Sequence, residues 1–136
     1  MKKAILLTPV LSLLLVACGD KAQDAPVTEE KLSEYKAIGT EPGWAVEVNG
    51  DEIIYSSMEA TNDFTLPVQR MTKTATGWEV KGFSDQHNIT LTITSGTECS
   101  DGMSDRVYAD TVRTAVSGTG YLDGCGGEIL SGPDTP

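Results

Sequence analysis

The feature that most constrains the fold of this chain is a series of short runs in which apolar and polar residues alternate. The clearest run covers residues 88–94, where Ile89, Leu91 and Ile93 alternate with three threonines. Successive side chains of a β-strand point to opposite faces, so this period of two predicts a strand with one buried face. Further strands are predicted over residues 44–48, 52–55, 66–73, 78–81, 107–116 and 119–125.

Residues that favour turns separate these runs and predict an antiparallel meander. Asn49-Gly50 lies between two runs, and this pair favours a tight hairpin because both residues tolerate positive φ. We therefore expect an all-β domain over residues 37–130, with about seven or eight strands that close into a small barrel and leave no free edge. A sandwich of two sheets is the alternative. Residues 131–136 are expected to form a frayed tail.

The N-terminal residues are typical of an export signal. A basic start at residues 1–3 is followed by an apolar stretch that is too short to span a membrane. Leu15-Val16-Ala17-Cys18 resembles the bacterial lipoprotein box, which implies a signal peptide over residues 1–17 and a palmitate-type lipid anchor on Cys18. In lipoproteins of bacteria with two membranes, Asp directly after the lipidated cysteine favours retention in the inner membrane. Here Gly19 takes that place, which implies delivery to the outer membrane with the domain facing the periplasm. An ordinary signal peptide with a chance cysteine is the alternative.

Residues 18–36 are predicted to form a flexible tether between the lipidated cysteine and the barrel. They are charged and polar, contain Pro26, and show no apolar periodicity. Residues 29–35 are compatible with one or two helical turns.

The charge of the exported part excludes one large class of function. Residues 1–17 hold two of the ten basic residues and no acidic residue, so residues 18–136 keep eight basic residues against twenty acidic ones, a net charge of −12. We expect no binding to nucleic acid, because that binding depends on Lys and Arg contacts to phosphates. The charge favours a cationic protein as partner, although solubility explains an acidic surface equally well. A glycan is the other class of partner that we consider.

The chain contains three cysteines, an odd number that needs an explanation in an exported protein. If lipidation uses Cys18, then Cys99 and Cys125 remain to form a structural disulfide in the oxidising envelope. A redox-active pair is the alternative, but the C-x-x-C spacing is absent. His87 is the single histidine, so too few ligands remain for a zinc or copper centre, and we expect no cofactor and no metal.

The densest cluster of turn-forming and charged residues is Cys99-Ser100-Asp101-Gly102-Met103-Ser104-Asp105-Arg106-Val107-Tyr108. Two further segments accompany it: Gly39-Thr40-Glu41-Pro42-Gly43-Trp44 and Gly124-Cys125-Gly126-Gly127. Together they resemble the signature of a family of small uncharacterised bacterial envelope lipoproteins, G-x-E-P-x-W, C-x-D-G-M-S-D-R-x-Y and a closing G-C, sometimes found beside META-type β domains. The resemblance implies a lipoprotein of unknown biochemical role and assigns no catalytic residue.

Residues 101–106 are predicted to form a loop that satisfies its own polar groups. Asp101-Gly102 suits a tight turn, Ser104 and Asp105 suit backbone caps, and Arg106 is close enough in sequence for a bidentate pair with Asp101 or Asp105. The functional alternative is a rigid recognition loop with Met103 at its tip. Its candidate contact residues are Asp101, Met103, Asp105, Arg106 and Tyr108. A Ca²⁺ site on Asp101 and Asp105 is a further alternative, although their spacing departs from the EF-hand pattern.

Three other features have structural explanations that we prefer. Trp44 and Trp78 are expected in the core rather than in a glycan or peptide groove. His87 lies in a polar turn and is expected to be solvated. Ser117-Gly118-Thr119-Gly120-Tyr121 is similar to the S-G-x-x-Y element of periplasmic inhibitors of c-type lysozyme, but it also suits a hairpin turn.

The sequence offers no Ser/His/Asp arrangement beyond the bare presence of these residues. We therefore expect a lipid-anchored module that binds a partner or has a structural role and is not an enzyme. One alternative is an inhibitor of a cationic c-type lysozyme. Another is a hydrolase that uses Asp101 and Asp105 as its carboxylate pair.

Overall fold

The computed structural model describes residues 30–59 and 62–133. The predicted signal peptide, the predicted lipidation at Cys18 and the end of the predicted tail lie outside these residues. Within them, no helix is long and apolar enough to cross a bilayer. Eight β-strands follow one another along the chain: β1 (Glu34–Thr40), β2 (Gly43–Asn49), β3 (Glu52–Ser57), β4 (Phe64–Lys73), β5 (Gly77–Phe83), β6 (Asn88–Ser100), β7 (Val107–Val116) and β8 (Gly120–Ser131).

Each strand pairs in antiparallel fashion with the next one, and β8 returns to β1, so the sheet closes into a barrel. The closing ladder is short, because it joins only Ala37 to Gly126 and Ile38 to Cys125. A closed barrel leaves no unpaired edge for another chain to join. The predicted all-β meander barrel is confirmed, and the sandwich alternative is wrong.

The seam between β1 and β8 depends on glycine. A Cβ atom at Gly124 would lie 2.1 Å from the carbonyl oxygen of Ile38, and one at Gly126 would lie 2.6 Å from the hydroxyl of Tyr35. Because both separations are shorter than any real Cβ contact, a side chain at either position would push β1 away from β8. The glycines of the closing sequence motif therefore allow the barrel to close.

The first strand begins earlier than predicted. β1 starts at Glu34, inside the predicted tether of residues 18–36, and the predicted helical turns over residues 29–35 are wrong at Glu34 and Tyr35. Tyr35 and Ala37 are buried while Glu34 and Lys36 are exposed. The strand period was therefore present in the sequence, but charged neighbours concealed it.

The core fills the barrel with every second residue of the strands. The side chains with the least exposure are aliphatic, and both tryptophans are also buried, Trp44 at 5% exposure and Trp78 at 8%. Fully burying one aliphatic or aromatic side chain contributes about 1.5–3 kcal/mol to the hydrophobic term. The prediction that both tryptophans belong to the core is confirmed. The aliphatic centre consists of Val46, Val48, Ile53, Val80, Ile89, Leu91, Ile93 and Val112.

The first residues of β1 and two turns lie together at one end of the barrel, which we call the N-terminal end. The amide of Gly50 in the β2–β3 turn donates to the carbonyl oxygen of Ser33 at 2.7 Å. The amide of Ser95 donates to the carbonyl oxygen of Thr76 in the β4–β5 turn at 2.8 Å. The β5–β6 and β7–β8 turns lie at the opposite end.

Candidate functional site

β6 and β7 continue beyond the barrel wall as an arm that folds back over its outer face. The pairing register shifts after Ser95 in β6 and before Asp110 in β7. Such irregularities bend a strand, so residues 96–109, which we call the arm, leave the line of the wall. The hydroxyls of Thr97 in the arm and Thr111 on the outer face are 3.0 Å apart.

A disulfide bond between Cys99 and Cys125 fastens the arm to the wall. Cys125 pairs with the exposed Thr111 and lies three positions after the core residue Leu122, so its side chain points to the outer face. The two Cα atoms are 5.4 Å apart, and Cys125 is only 2% exposed because the arm covers it. The predicted disulfide is confirmed.

Asp101 caps the loop at the tip of the arm. Its Oδ1 accepts hydrogen bonds from the amides of Met103 at 2.9 Å and Ser104 at 2.8 Å, and its Oδ2 accepts one from the hydroxyl of Ser104. These bonds, led by the Ser104 hydroxyl, hold the pKa of Asp101 below the ordinary value for aspartate. The carboxylate is therefore ionised at neutral pH and fixes the backbone of the loop.

The far side of the loop is held by the end of β8. Within the described residues, Arg106 does not form the predicted bidentate pair with Asp101 or Asp105, and its Nε donates to the carbonyl oxygen of Pro133 at 3.0 Å. Asp105 adopts a left-handed backbone conformation with φ of 57°. A Cβ at Gly132 would lie 2.5 Å from the carbonyl oxygen of Asp105, so the two backbones are in close contact.

The five candidate recognition residues divide between the surface and the interior. Met103 is 73% exposed at the tip of the loop, whereas Tyr108 is only 6% exposed. Asp101 uses its carboxylate within the loop, and Arg106 uses its guanidinium on Pro133. Met103 and Asp105 are therefore accessible to a partner at the arm, whereas the ring of Tyr108 is not.

The three sequence segments that carry the family resemblance meet at the arm. The indole of Trp44 lies where side chains at Gly39 and Gly124 would lie, since their Cβ atoms would be 2.0 Å and 2.7 Å from it. The hydroxyl of Thr40 donates to the carbonyl oxygen of Asp101 at 3.1 Å. Together with the disulfide, these contacts join the opening, central and closing segments into one structural unit.

A shallow cleft of about 290 Å³ separates the base of the loop from the barrel wall. Three acidic residues line it: Glu41, Asp101 and Asp123. Asp123 accepts two hydrogen bonds from Arg113, at 2.7 Å and 3.2 Å, and these bonds lower its pKa. The spacing of these residues in the sequence gave no signal of the cleft, because it forms only when the arm folds back.

The described residues bring together no group of three or more His, Cys, Asp or Glu side chains that could hold a metal ion. At the position of the alternative Ca²⁺ site, both carboxylate oxygens of Asp101 accept hydrogen bonds from Met103 and Ser104. A cation at this position would have to displace these donors or share the oxygens with them.

The segment that resembles the lysozyme-inhibitor element forms the β7–β8 hairpin. The amide of Thr119 donates to the carbonyl oxygen of Val116 at 3.1 Å, and the hydroxyl of Ser117 accepts a hydrogen bond from the amide of Asn88 at 3.0 Å. Tyr121 is 77% exposed, with the Arg113 guanidinium 5.9 Å from its ring centroid. The hairpin-turn interpretation is confirmed, and the hairpin presents an aromatic ring to solvent.

His87 is not the solvated turn residue that the sequence predicts. Its ring is half-buried and stacks on Phe64, with ring centroids 4.6 Å apart, and Phe64 in turn stacks on Tyr55. The sequence around His87 could not predict this stacking, because Phe64 lies on β4, far from His87 in the sequence.

Sequence reasoning also missed a buried carboxylate at the base of the arm. Asp110 is 9% exposed and accepts hydrogen bonds from the hydroxyl of Tyr35 at 3.0 Å and from the amide of Gly96 at 3.1 Å. Its inward position on β7, two residues before Val112, was the available signal. The carboxylate joins β1 to the first residue of the arm.

Comparison of this chain with family models, curated proteins and solved structures gives no match.

Proposed function

We propose that this protein is a bacterial envelope lipoprotein, anchored in the outer membrane through Cys18, whose periplasm-facing barrel is a non-enzymatic binding module. The lipobox-like residues 15–18 support the anchor. The disulfide between Cys99 and Cys125 supports export, because disulfides persist in oxidising compartments.

The exposure of Met103 on a fixed loop is the observation that carries the binding proposal. Its side chain is 73% exposed, while the backbone on both sides is held by Asp101, the disulfide and the Pro133 contact. A preorganised loop loses little conformational entropy when a partner binds. Methionine also adapts its shape to different apolar surfaces. The loop is therefore well suited to protein recognition.

The charge beside the loop favours a cationic protein as the partner. Glu41, Asp101 and Asp123 line the adjacent cleft, and the exported part of the chain carries a net charge of −12. Complementary charge accelerates encounter and selects among partners. Binding should therefore weaken as the salt concentration rises.

Capture from an envelope extract tests the recognition loop. The full-length protein, purified from membranes in detergent, is immobilised as wild type, Met103→Ala and Met58→Ala. Met58 is 85% exposed and lies on another loop, so it is the matched control. We expect the wild type and Met58→Ala to retain the same cationic protein, and Met103→Ala to retain about tenfold less, as for a central interface residue. Equal retention by all three proteins would overturn the assignment of the loop.

Metabolic labelling with palmitate tests the anchor separately. The wild type should incorporate label and fractionate with the outer membrane, because several acyl chains give a stable anchor. Cys18→Ser should lose the label. Label that persists in Cys18→Ser would refute lipidation at this residue.

Inhibition of a c-type lysozyme is the second candidate function, and the exposed Tyr121 favours it. The ring is 77% exposed on the β7–β8 hairpin, available to enter a cleft of the enzyme. In a lysozyme assay, Tyr121→Ala should lose inhibition, while Phe83→Ala, which removes another exposed aromatic ring, should retain it. A wild-type protein that does not inhibit would exclude this function.

The geometry gives little support to the hydrolase alternative. A general acid near neutral pH needs a raised pKa, whereas the pKa of Asp101 is lowered by its hydrogen bonds within the loop. The lowered pKa and the loop hydrogen bonds together favour a capping role for this carboxylate.

A further inference from the structure

Residues 30–33 cross the N-terminal end of the barrel as a strap. The carbonyl oxygen of Ser33 accepts a hydrogen bond from Gly50 at 2.7 Å, and the amide of Leu32 lies 3.3 Å from the sulfur of Met71. The side chain of Leu32 packs against the core. The strap is thus seated on the barrel by one apolar residue and a few backbone contacts.

Two ion pairs hold the sides of the strap. Lys31 pairs with Asp51 in the β2–β3 turn, and Glu30 pairs with Lys73 at the end of β4. All four side chains are at least half exposed. Exposed ion pairs contribute little to stability, so another anion can compete for these ammonium groups.

Two open cavities adjoin the strap at the Glu30–Lys73 ion pair. Their volumes are about 520 and 620 Å³, and Glu30, Lys73 and Trp78 line both of them. The smaller cavity adds the apolar side chains of Val68 and Met71. We call these two cavities, which share Glu30, Lys73 and Trp78, the groove.

Basic residues are concentrated at this groove. The described part of the chain contains seven Lys and Arg residues, and three of them, Lys31, Arg70 and Lys73, line the smaller cavity. Two acidic residues, Glu30 and Asp51, line it as well, so basic side chains outnumber acidic ones there by one. The ammonium of Lys73 lies 5.7 Å from the ring centroid of Trp78, within the range of a cation–π contact. Among the described residues, Arg70 has no ion-pair partner. Such a cluster on a strongly acidic chain points to an anionic ligand.

We propose that this groove binds an anionic amphiphile, a molecule with a phosphate or carboxylate head and an apolar body, and that Glu30 occupies the position of the head. Lys73 and its neighbouring cations bind the head. Val68, Met71 and Trp78 line the wall beside the apolar body. The strap therefore competes with the ligand for Lys73. The lining of this site reaches the arm only at Thr97 and does not include Met103. The proposal does not depend on the proposed lipid anchor.

Titration calorimetry with octyl phosphate below its micelle concentration tests the proposal. All proteins are full-length and carry Cys18→Ser, so that no acyl chain of the protein itself can act as a ligand. Octyl phosphate should bind at least about tenfold more tightly than octyl glucoside or inorganic phosphate, because each of these lacks one half of the ligand chemistry.

Paired substitutions identify the roles of Lys73 and Glu30. Lys73→Gln should weaken binding about tenfold, as expected when a charged hydrogen bond is lost. Glu30→Gln should strengthen binding about two- to fivefold, because it removes an exposed competing ion pair. Lys36→Gln and Glu47→Gln are the matched controls, since these residues form an ion pair at 3.2 Å on β1 and β2, outside the groove.

Equal affinities of Glu30→Gln and Glu47→Gln, or of Lys73→Gln and Lys36→Gln, would overturn the proposal. Thermal melting confirms that each variant is folded, and Arg70→Gln provides a second variant that should weaken binding. Vesicles that contain phosphatidylglycerol distinguish the source of the ligand. Binding to both vesicles and octyl phosphate supports a lipid headgroup, and binding to octyl phosphate alone supports a free amphiphile.

Discussion

Two polar side chains in the barrel interior differ in how their hydrogen-bonding groups are satisfied. Asp110 accepts hydrogen bonds from Tyr35 and Gly96, and burial together with this carboxylate raises the pKa of the Tyr35 hydroxyl. Thr114 is fully buried beside apolar neighbours, and its hydroxyl has no hydrogen-bond partner among the described residues. A buried hydroxyl without a partner lowers stability.

Replacing Thr114 by valine should therefore stabilise the protein. Valine has nearly the same shape, so the free energy of unfolding should rise by about 1 kcal/mol, the lower range of the cost of an unsatisfied group. Thermal denaturation measures the change. Thr111→Val is the control, because that hydroxyl donates to the carbonyl oxygen of Thr97 at 3.2 Å and its loss should not stabilise. A lower melting temperature for Thr114→Val would contradict this explanation.

At the scale of the strands, the sequence predicted the strands and turns that depend on a local residue pattern. The alternation at residues 88–94 and the Asn49-Gly50 turn correctly predicted β6 and the β2–β3 hairpin. The folding of the arm back over the outer face was not predictable from the sequence. The bulges after Ser95 and before Asp110 change the direction of the strands without changing the alternation of apolar and polar residues.

The candidate site was predicted only in part for the same reason. The pairing of Cys99 with Cys125 followed from the number of cysteines once Cys18 was assigned to lipidation, and Met103 at the loop tip was part of the recognition-loop alternative. The burial of Tyr108 and the contact of Arg106 with Pro133 depend on how the arm lies against the wall and against the end of β8. The spacing of residues in the sequence does not predict such contacts between distant segments.

The loop at the tip of the arm should respond to acid. Because the folded-state pKa of Asp101 is lowered, its capping contribution is fully present above the unfolded-state pKa and is lost as the pH falls through the folded-state pKa. The amide chemical shifts of Met103 and Ser104 should therefore titrate below the usual range for aspartate. Asp101→Asn should abolish this titration. An unchanged titration in the variant would assign it to another group.

At the scale of the whole molecule, a closed and well-packed barrel supports two candidate binding surfaces, the arm and the groove, and Thr97 belongs to both. The arm lies on the outer face over β7 and β8 and presents Met103, whereas the strap crosses the N-terminal end over Trp78. The disulfide closes a sequence separation of 26 residues, and a loop of this length contributes about 3 kcal/mol by the loop-entropy estimate. The proposed recognition depends on a rigid arm. The arm should therefore be rigid only when the disulfide between Cys99 and Cys125 is formed.

Amide hydrogen exchange of the loop, compared between the oxidised protein and the Cys99→Ala/Cys125→Ala variant, tests this requirement most directly. We predict that the amides of Met103 and Ser104 are protected in the oxidised protein and exchange about tenfold faster or more in the variant, because local opening then costs less free energy. Amides of the core strands, such as those of Val80 and Leu91, should remain protected in both proteins. Equal protection of the loop in both proteins would contradict the account, because the arm would then not depend on its disulfide.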